Sequence, residues 1–375
     1  MVELTSPGDP RFATRERQPG LDLLRALAIL LVVFYHAGLF GFALPNDLQR
    51  FGWIGVDLFF VLSGYLIAGQ LLAQVARNQR PNLPRFFWRR ALRILPAYLV
   101  VVAVYFALPA LREYPTIPPL WKFLAFVQNL GLHGGTAFSH AWSLCVEAQF
   151  YLLLPFALIA LSGSRPASFA APCAVVVGGI LLRAAIAYSI ATGGVVPFRG
   201  FQTWIYYATW TRLDPLTLGV SLAAIERFRP IWWRKLERSA VWLWLLALPL
   251  IVFAVFLGES DELKVATCVW QFPLLALGLA MLLVCAVSPR LPLRRVAVPG
   301  AAFVASIAYS AYLSHKLAIH FVQAFCQAHA IDPTSIGAMS LWLGLAAIVG
   351  ALLFFVVERP FLVFRQRHAT RAVLR

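Results

Sequence analysis

Long apolar blocks separated by short polar stretches run along the whole chain. A helix needs about 20 apolar residues to cross a bilayer. By that criterion we predict ten membrane spans, at 21–40, 53–76, 92–111, 142–162, 167–191, 201–225, 241–257, 267–287, 301–328 and 336–357. A shorter apolar segment, 119–132, is predicted to lie at the membrane interface or to re-enter the membrane. The pattern predicts an all-α fold, a polytopic bundle of about ten transmembrane helices.

The placement of Lys and Arg orients these predicted spans. Ten spans put both termini on one side of the membrane, and the segments on that side carry 23 of the 32 Lys and Arg residues. The loops on the opposite side carry five. Because cationic loops stay in the cytoplasm, we predict cytoplasmic tails at 1–20 and 362–375. One membrane domain, 21–361, lies between them.

The composition excludes a soluble domain. Only 13% of the residues are charged, against about a quarter in soluble domains, and the mean hydropathy is +0.75. A net charge of +16 would suit nucleic-acid binding, but the cations lie in short loops, where they meet anionic lipid headgroups. We therefore predict membrane lipid as a partner and no nucleic acid. The five cysteines show no CxxC spacing, and no metal site is predicted.

The first predicted span carries Arg25 near one end and His36 near the other. Ionisable side chains inside a membrane are costly unless they are paired or wetted, so they are functional candidates. The eleven-residue spacing amounts to about three helical turns, or roughly 16 Å, and returns to the same helix face. An arginine that reaches the inner headgroups and an unrelated histidine at the outer interface remain an alternative.

Carboxylates begin the second and fourth predicted spans. Asp57 lies at the depth predicted for His36, and a carboxylate that orients an imidazole is what a histidine base needs. Glu147 must either take up a proton or find a cation. Ser63 and Gly64, also in the second span, are predicted to allow close helix packing.

The stretch RFFWRRALRILP precedes the third predicted span. Arg89 and Arg93 are four residues apart and share a helix face, with Arg85 one turn earlier. Guanidinium groups suit phosphate oxygens, which indicates a phosphate site. Orienting charge flanked by an aromatic belt would also explain the stretch.

Further polar residues lie inside later spans. Arg212 and Asp214, in the stretch TRLDPLTLG, are two residues apart and so do not share a helix face; each is predicted to meet another span, as is Arg183. His315 and His320 are five apart, which is poor spacing for metal ligands. The two remaining histidines of interest are predicted to be solvated in an outer loop: His133 and His140.

Seven of these stretches, in this order, resemble the acyltransferase-3 family of bacterial membrane O-acyltransferases, which modify glycans. The matching pieces are Arg25 with His36, GVDLFFVLSGYLI, RRALRILP, WSLCVEAQFYLLLP, RLDPLTLG, AYSAYLSHKLAI and VERPF. The resemblance covers nearly the whole chain. It implies a multi-pass protein of the bacterial inner membrane that takes an acyl group, expected to be acetyl, from cytoplasmic acyl-CoA. The acceptor would be a hydroxyl of a glycan or a similar molecule.

The resemblance also implies roles for individual residues. His36 would be catalytic, with Arg25 as its motif companion, and Arg89 and Arg93 would hold the CoA end of acetyl-CoA. Acetyl-CoA would be a co-substrate, with no permanently bound cofactor. The sequence departs from the family pattern at Cys145 and Ala148, where serine and a second glutamate are usual, and it lacks the proline that follows His315 in the family.

We therefore hypothesise that His36 acts as a general base or accepts the acyl group itself, with Asp57 and Glu147 orienting it. Arg25, Arg89 and Arg93 are assigned to the donor. The predicted substrate-binding residues are Trp142, Ser143, Arg212, Asp214 and His315. The alternative hypothesis is a transporter or flippase of a lipid-linked glycan, in which the intramembrane charges line a path.

Overall fold

A computed structural model describes residues 18–42, 50–77, 79–161, 165–258 and 262–371. These residues form a bundle of helices, which confirms the predicted fold class. The helices are α1 (Pro19–Leu39), α2 (Ile54–Val75), α3 (Leu83–Ala107), α4 (Leu120–Leu124), α5 (Trp142–Leu161), α6 (Arg165–Ile190), α7 (Phe198–Phe201), α8 (Asp214–Phe228), α9 (Pro230–Arg238), α10 (Ala240–Leu257), α11 (Val265–Val287), α12 (Ala301–Ala328), α13 (Ile336–Leu353) and α14 (Arg359–Arg371).

Eight helical segments among the described residues are long and apolar enough to cross a membrane. They match eight of the ten predicted spans and make this a multi-pass membrane protein. The ninth predicted span, 301–328, is the 28-residue helix α12, which is more polar than those eight because it carries serines, histidines and Lys316. These polar residues are largely buried, so α12 packs inside the bundle.

The prediction of one continuous helix over 201–225 is wrong. The chain passes from α7 into a π-helical turn, Gln202–Tyr206, then a 3₁₀ turn, Thr209–Thr211, before α8 begins. Pro215 fits in the first turn of α8, because proline lacks the N–H that an interior helical position needs. The Thr211 hydroxyl bonds the carbonyl oxygens of Ile205 and Ala208, at 2.7 and 2.9 Å, which satisfies backbone groups at the break.

Other predicted boundaries shift without changing the architecture. α3 begins at Leu83 rather than 92, so the arginine stripe forms its first turns, and the Asn82 side chain caps it at Arg85 N. In the predicted interfacial segment 119–132, only α4 is helical. At the C-terminal end, α13 continues through a π-helical turn into α14, so the predicted tail begins as helix. Most of the predicted tail 1–20 lies outside the described residues.

Small residues bring α2 and α8 into close contact, as predicted for Gly64. A Cβ atom on Gly64 would collide with the backbone of Leu216, and one on Gly219 would collide with the backbone of Val61. Gly55 meets the backbone of Ala28 on α1 in the same way. Close backbone approach is how membrane helices gain packing energy, since lipid removes the hydrophobic drive between them.

We predict that Gly64→Ala destabilises the folded protein by about 1–3 kcal/mol, the usual cost of overpacking. The control is Gly178→Ala, at a helical glycine of α6 with open space around it, where alanine is neutral or stabilising. Thermal unfolding in detergent measures both variants. Equal midpoint temperatures for the two variants would contradict the close packing of α2 on α8.

Candidate active site

Three histidine rings from separate segments meet inside the bundle. His36 lies in the last turn of α1, His315 in the middle of α12, and His140 in the 3₁₀ turn Ser139–Ala141 before α5. The ring centroids of His315 lie 4.9 Å from those of both His36 and His140, and His36 and His140 are 5.8 Å apart. We call these three residues the histidine cluster. The predicted solvation of His140 is wrong, because this turn folds inward and its side chain is 2% exposed.

The hydrogen bonds of His36 and His315 fix where their protons lie. His36 Nδ1 is 2.9 Å from the Val32 carbonyl oxygen and 3.0 Å from His315 Nε2. His315 Nδ1 is 2.8 Å from the Tyr312 carbonyl oxygen. Because a carbonyl oxygen only accepts, both Nδ1 atoms carry hydrogen, and His315 Nε2 accepts from His36. In the neutral imidazole this arrangement leaves the lone pair of His36 on Nε2.

A second set of hydrogen bonds fixes His140. Its Nε2 donates to the Leu313 carbonyl oxygen at 3.3 Å, and its own carbonyl oxygen accepts from the Tyr312 hydroxyl at 2.5 Å. The Ser143 hydroxyl lies 2.6 Å from the Tyr312 oxygen. Ser143, a predicted substrate-binding residue, thus contacts the wall of the histidine cluster. Nδ1 of His140 is buried and finds no partner among the described residues.

A buried ion pair holds the turn that carries His140. The Lys316 ammonium lies 3.5 Å from Glu113 Oε1 and donates to the Ser139 hydroxyl at 3.1 Å. The same Glu113 oxygen accepts from the backbone N–H of Phe138 at 3.0 Å. Phe138 has a φ of +57°, which only a well-supported position tolerates in a bulky residue. Sequence reasoning missed Glu113, since it precedes α4 in a polar loop with no motif.

Asp57 forms a fully buried ion pair with Arg212. Both Asp57 carboxylate oxygens lie 2.8 Å from Arg212 Nη2. The guanidinium carbon lies 3.7 Å from the centroid of the Phe272 ring, 5.0 Å from that of Tyr206 and 5.5 Å from that of Trp142. A carboxylate out of reach of water needs a cation, and the aromatic faces stabilise the guanidinium.

Neither predicted carboxylate orients His36. The partner of Asp57 is Arg212, because α2 packs on α8 and its preceding turn. Glu147 instead accepts a hydrogen bond from the Ser63 hydroxyl at 2.6 Å, which joins α5 to α2. His36 itself is oriented by a backbone carbonyl and a second imidazole.

The prediction that Arg212 and Asp214 each meet another span is confirmed. Arg212 meets Asp57 on α2, and Asp214 pairs with Arg183 on α6 at 2.5 Å. Arg183 also donates to the Thr211 carbonyl oxygen at 2.6 Å. Both ion pairs lie at the C-terminal end of the broken segment, where α8 begins. A substrate-binding role for Arg212 or Asp214 stays a prediction.

The predicted donor arginines lie on one surface of α3. Arg89 is exposed, and Arg93 pairs with Glu358 at 2.7 Å with about a third of its side chain exposed. Glu358 also accepts from the Ser310 hydroxyl at 2.6 Å. Glu358, in the stretch VERPF, thus orients Arg93, a partnership that sequence spacing did not reveal. Arg25 pairs with Asp22 at 3.1 Å, one turn back on its own helix.

Helix α12 links the arginine surface to the histidine cluster. Ser310 contacts Glu358, and His315, five residues further, contacts His36. Five residues of α-helix rise about 7.5 Å. The two contacts thus lie at nearby levels along α12, on different faces of the helix.

We predict that Asp57→Asn destabilises the protein by about 3–5 kcal/mol, because it leaves the Arg212 cation buried without its counterion. The control is Asp332→Asn, at an exposed position where the change is below about 1 kcal/mol. Thermal unfolding in detergent compares the two variants. A stable Asp57→Asn protein that has lost only activity would instead favour the chemical role.

Comparison with known proteins gives one family match. The model of the acyltransferase-3 family, described as “Acyltransferase domain”, matches residues 18–357. No solved structure matches the chain.

Curated relatives share part of the chain. The peptidoglycan O-acetyltransferase OatA of Listeria monocytogenes is 33% identical over 243 residues, which cover 59% of this chain and 36% of that protein. The O-acetyltransferase OatA of Staphylococcus aureus is 31% identical over 223 residues, which cover 55% of this chain and 34% of that protein. The match thus spans about a third of the length of these relatives.

Proposed function

The chain belongs to the acyltransferase-3 family, and we propose that it is a membrane O-acyltransferase that moves an acetyl group from cytoplasmic acetyl-CoA to a glycan hydroxyl. The observation that carries the proposal is the position of His36 Nδ1 between the Val32 carbonyl oxygen and His315 Nε2, which in the neutral imidazole leaves the lone pair on Nε2. The relatives' names support acetyl as the group and peptidoglycan or another glycan as the acceptor. Acetyl-CoA is a co-substrate here, and the protein resides in the bacterial inner membrane.

On the donor side, Arg89 and Arg93 bind the phosphates of acetyl-CoA. Guanidinium groups present paired N–H donors that match phosphate oxygens. The ion pair with Glu358 holds Arg93 in place while part of the side chain stays accessible. Phosphates at this surface leave the pantetheine arm to extend along α12 toward the histidine cluster.

At the histidine cluster, His36 Nε2 removes the proton from the acceptor hydroxyl as its oxygen attacks the thioester carbonyl carbon. A new O–C ester bond forms, the C–S bond breaks, and the CoA sulfur takes the proton from His36. In a two-step variant, Nε2 attacks the thioester carbonyl carbon, the C–S bond breaks and CoA leaves as the thiolate. The acceptor oxygen then attacks the acetyl-imidazole carbon, the N–C bond breaks, and the hydroxyl proton passes to the CoA thiolate. In both variants, the positive charge on His36 is stabilised by His315 Nε2, which accepts a hydrogen bond from His36 Nδ1–H.

The ammonium nearest the histidine cluster is itself paired with a carboxylate. Lys316 follows His315 directly, and an isolated ammonium there would disfavour a second cation. Its pairing with Glu113 reduces that repulsion. In a transporter, the backbone carbonyl oxygens of a broken helix would be open to a substrate or ion. Here the Thr211 hydroxyl bonds the Ile205 carbonyl oxygen, and Arg212 packs against the Phe272 ring, so the broken segment gives the transporter alternative no support.

We predict that His36→Ala lowers acetyl transfer by about 10²–10⁴-fold, the usual contribution of a general base. The assay follows labelled acetyl groups from acetyl-CoA into alkali-labile esters of membrane glycans. His329→Ala, at an exposed histidine near the end of α12, is the matched control and keeps wild-type transfer. Wild-type rates in a well-folded His36→Ala protein would refute the mechanism.

We predict that Arg89→Ala with Arg93→Ala weakens acetyl-CoA binding at least about tenfold, since each lost charge-assisted bond is worth about 1.5–3 kcal/mol. Calorimetry on detergent-purified protein measures the dissociation constant. The control pair, Arg234→Ala with Arg238→Ala on α9, has the same four-residue spacing and is also exposed. Equal weakening by both pairs would indicate that net charge alone attracts the donor.

A further inference from the structure

A cavity of about 290 Å³ lies within the segment between α3 and α5. Its lining includes Thr116, Lys122, Gln128, Leu130, His133 and Thr136. On the predicted topology this segment faces away from the cytoplasm, on the side where a surface glycan is met. The residues assigned above to the donor and to catalysis are not among those that line it.

Hydrogen bonds within the segment give the cavity a fixed shape. The Thr116 hydroxyl donates to the Gly135 carbonyl oxygen at 3.1 Å, and the Lys122 ammonium donates to the Leu130 carbonyl oxygen at 3.2 Å. The Gly134 N–H donates to the Gln202 side chain at 3.1 Å, which ties the loop to the broken segment before α8. The loop is therefore held at several points, and the cavity is preformed.

The Gln128 side chain contributes a buried hydrogen-bond acceptor, its amide oxygen Oε1. Its Nε2 lies 3.2 Å from the Tyr98 hydroxyl oxygen and 3.4 Å from the Ala141 carbonyl oxygen. The Tyr98 hydroxyl gives its hydrogen to the Phe123 carbonyl oxygen, so both atoms facing Nε2 accept. The amide is therefore held in this orientation, and Oε1 has no hydrogen-bond partner among the described residues. An unpaired buried acceptor costs about 1–3 kcal/mol, which a ligand donor would recover.

The same glutamine connects the cavity to the histidine cluster. Its bond to the Ala141 carbonyl oxygen reaches the turn that carries His140. The His140 ring is 4.9 Å from His315 and 5.8 Å from His36. The Gln128 side chain thus lies between the cavity and the turn that carries His140.

The lining chemistry matches a sugar. The groups that line the cavity are uncharged apart from Lys122 and any charge on His133, and no carboxylate is among them. Trp121, which precedes Lys122 and lies outside the cavity lining, is 60% exposed, with the Lys122 ammonium 6.0 Å from its ring centroid. Sugar rings present hydroxyl donors together with apolar C–H faces, and this combination of one unpaired acceptor, an ammonium and a nearby indole suits them.

We propose that this cavity binds the acceptor glycan, with Gln128 Oε1 accepting a hydrogen bond from one of its hydroxyls. The inference rests on the proposed function and names the acceptor site for it. Gln128 is a specificity-determining residue here, whereas His36 carries out the chemistry.

The test compares two cavity variants with a matched control. Gln128→Leu removes the acceptor atom, and Leu130→Trp fills the cavity without touching the hydrogen bonds of Gln128. Gln323→Leu, at a half-buried glutamine of α12 that bonds the Phe40 carbonyl oxygen, is the control. Each purified variant is assayed for acetyl-CoA binding, and membranes containing it are assayed for labelled acetyl esters on endogenous glycans.

We expect both cavity variants to lower glycan acetylation at least about tenfold, while acetyl-CoA binding stays within about twofold of wild type and the control is unchanged. Wild-type acetylation by either well-folded cavity variant overturns the acceptor site. Loss of acetyl-CoA binding in both overturns it too, because the cavity would then not be specific to the acceptor. If the wild-type protein itself acetylates no glycan, the proposed function fails, which is a separate outcome.

Discussion

Inside an apolar bundle, every buried charge must find a partner, and this constraint organises the molecule. The costs of leaving a charge unpaired in the membrane amount to several kcal/mol. Asp57 with Arg212 ties α2 to the start of α8, and Arg183 with Asp214 ties α6 to the same point. Glu113 with Lys316 fixes a loop on α12. These pairs join helices that also meet through close packing of small residues, as α2 and α8 do.

The same constraint prepares the chemistry. Among the residues that the structure describes, no carboxylate contacts His36, and its Nδ1 lies instead against a carbonyl oxygen and His315. An imidazole held this way needs no buried anion to orient it. α12 serves both ends of the proposed reaction, since Ser310 contacts the ion pair of Arg93 and His315 contacts His36.

The sequence predicts the architecture well because hydropathy and helix length are local properties. Eight predicted spans correspond to long apolar helices. The close approach of Gly64 to the Leu216 backbone was predictable because glycine has no side chain. The broken segment before α8 escapes this reasoning. Its apolar content matches a continuous span, and the break depends on Pro215 and on bonds from Thr211 to carbonyl oxygens.

The candidate site could be predicted only in part. The spacing of Arg25 and His36 and the pair Arg89 and Arg93 are visible in the sequence, because they lie on single helices. Pairing between helices is a property of the folded chain. Asp57 therefore found Arg212 rather than an imidazole, and the burial of His140 could not be read from a polar loop.

The central claim is that His36 is a neutral imidazole with hydrogen on Nδ1 and a free Nε2. Nitrogen NMR of protein labelled with ¹⁵N-histidine tests it most directly, with the His36 signals identified by their loss in His36→Gln. The account predicts a protonated Nδ1 and an unprotonated Nε2 for His36 at neutral pH. Hydrogen on Nε2, whether in the other tautomer or in the imidazolium, would contradict it.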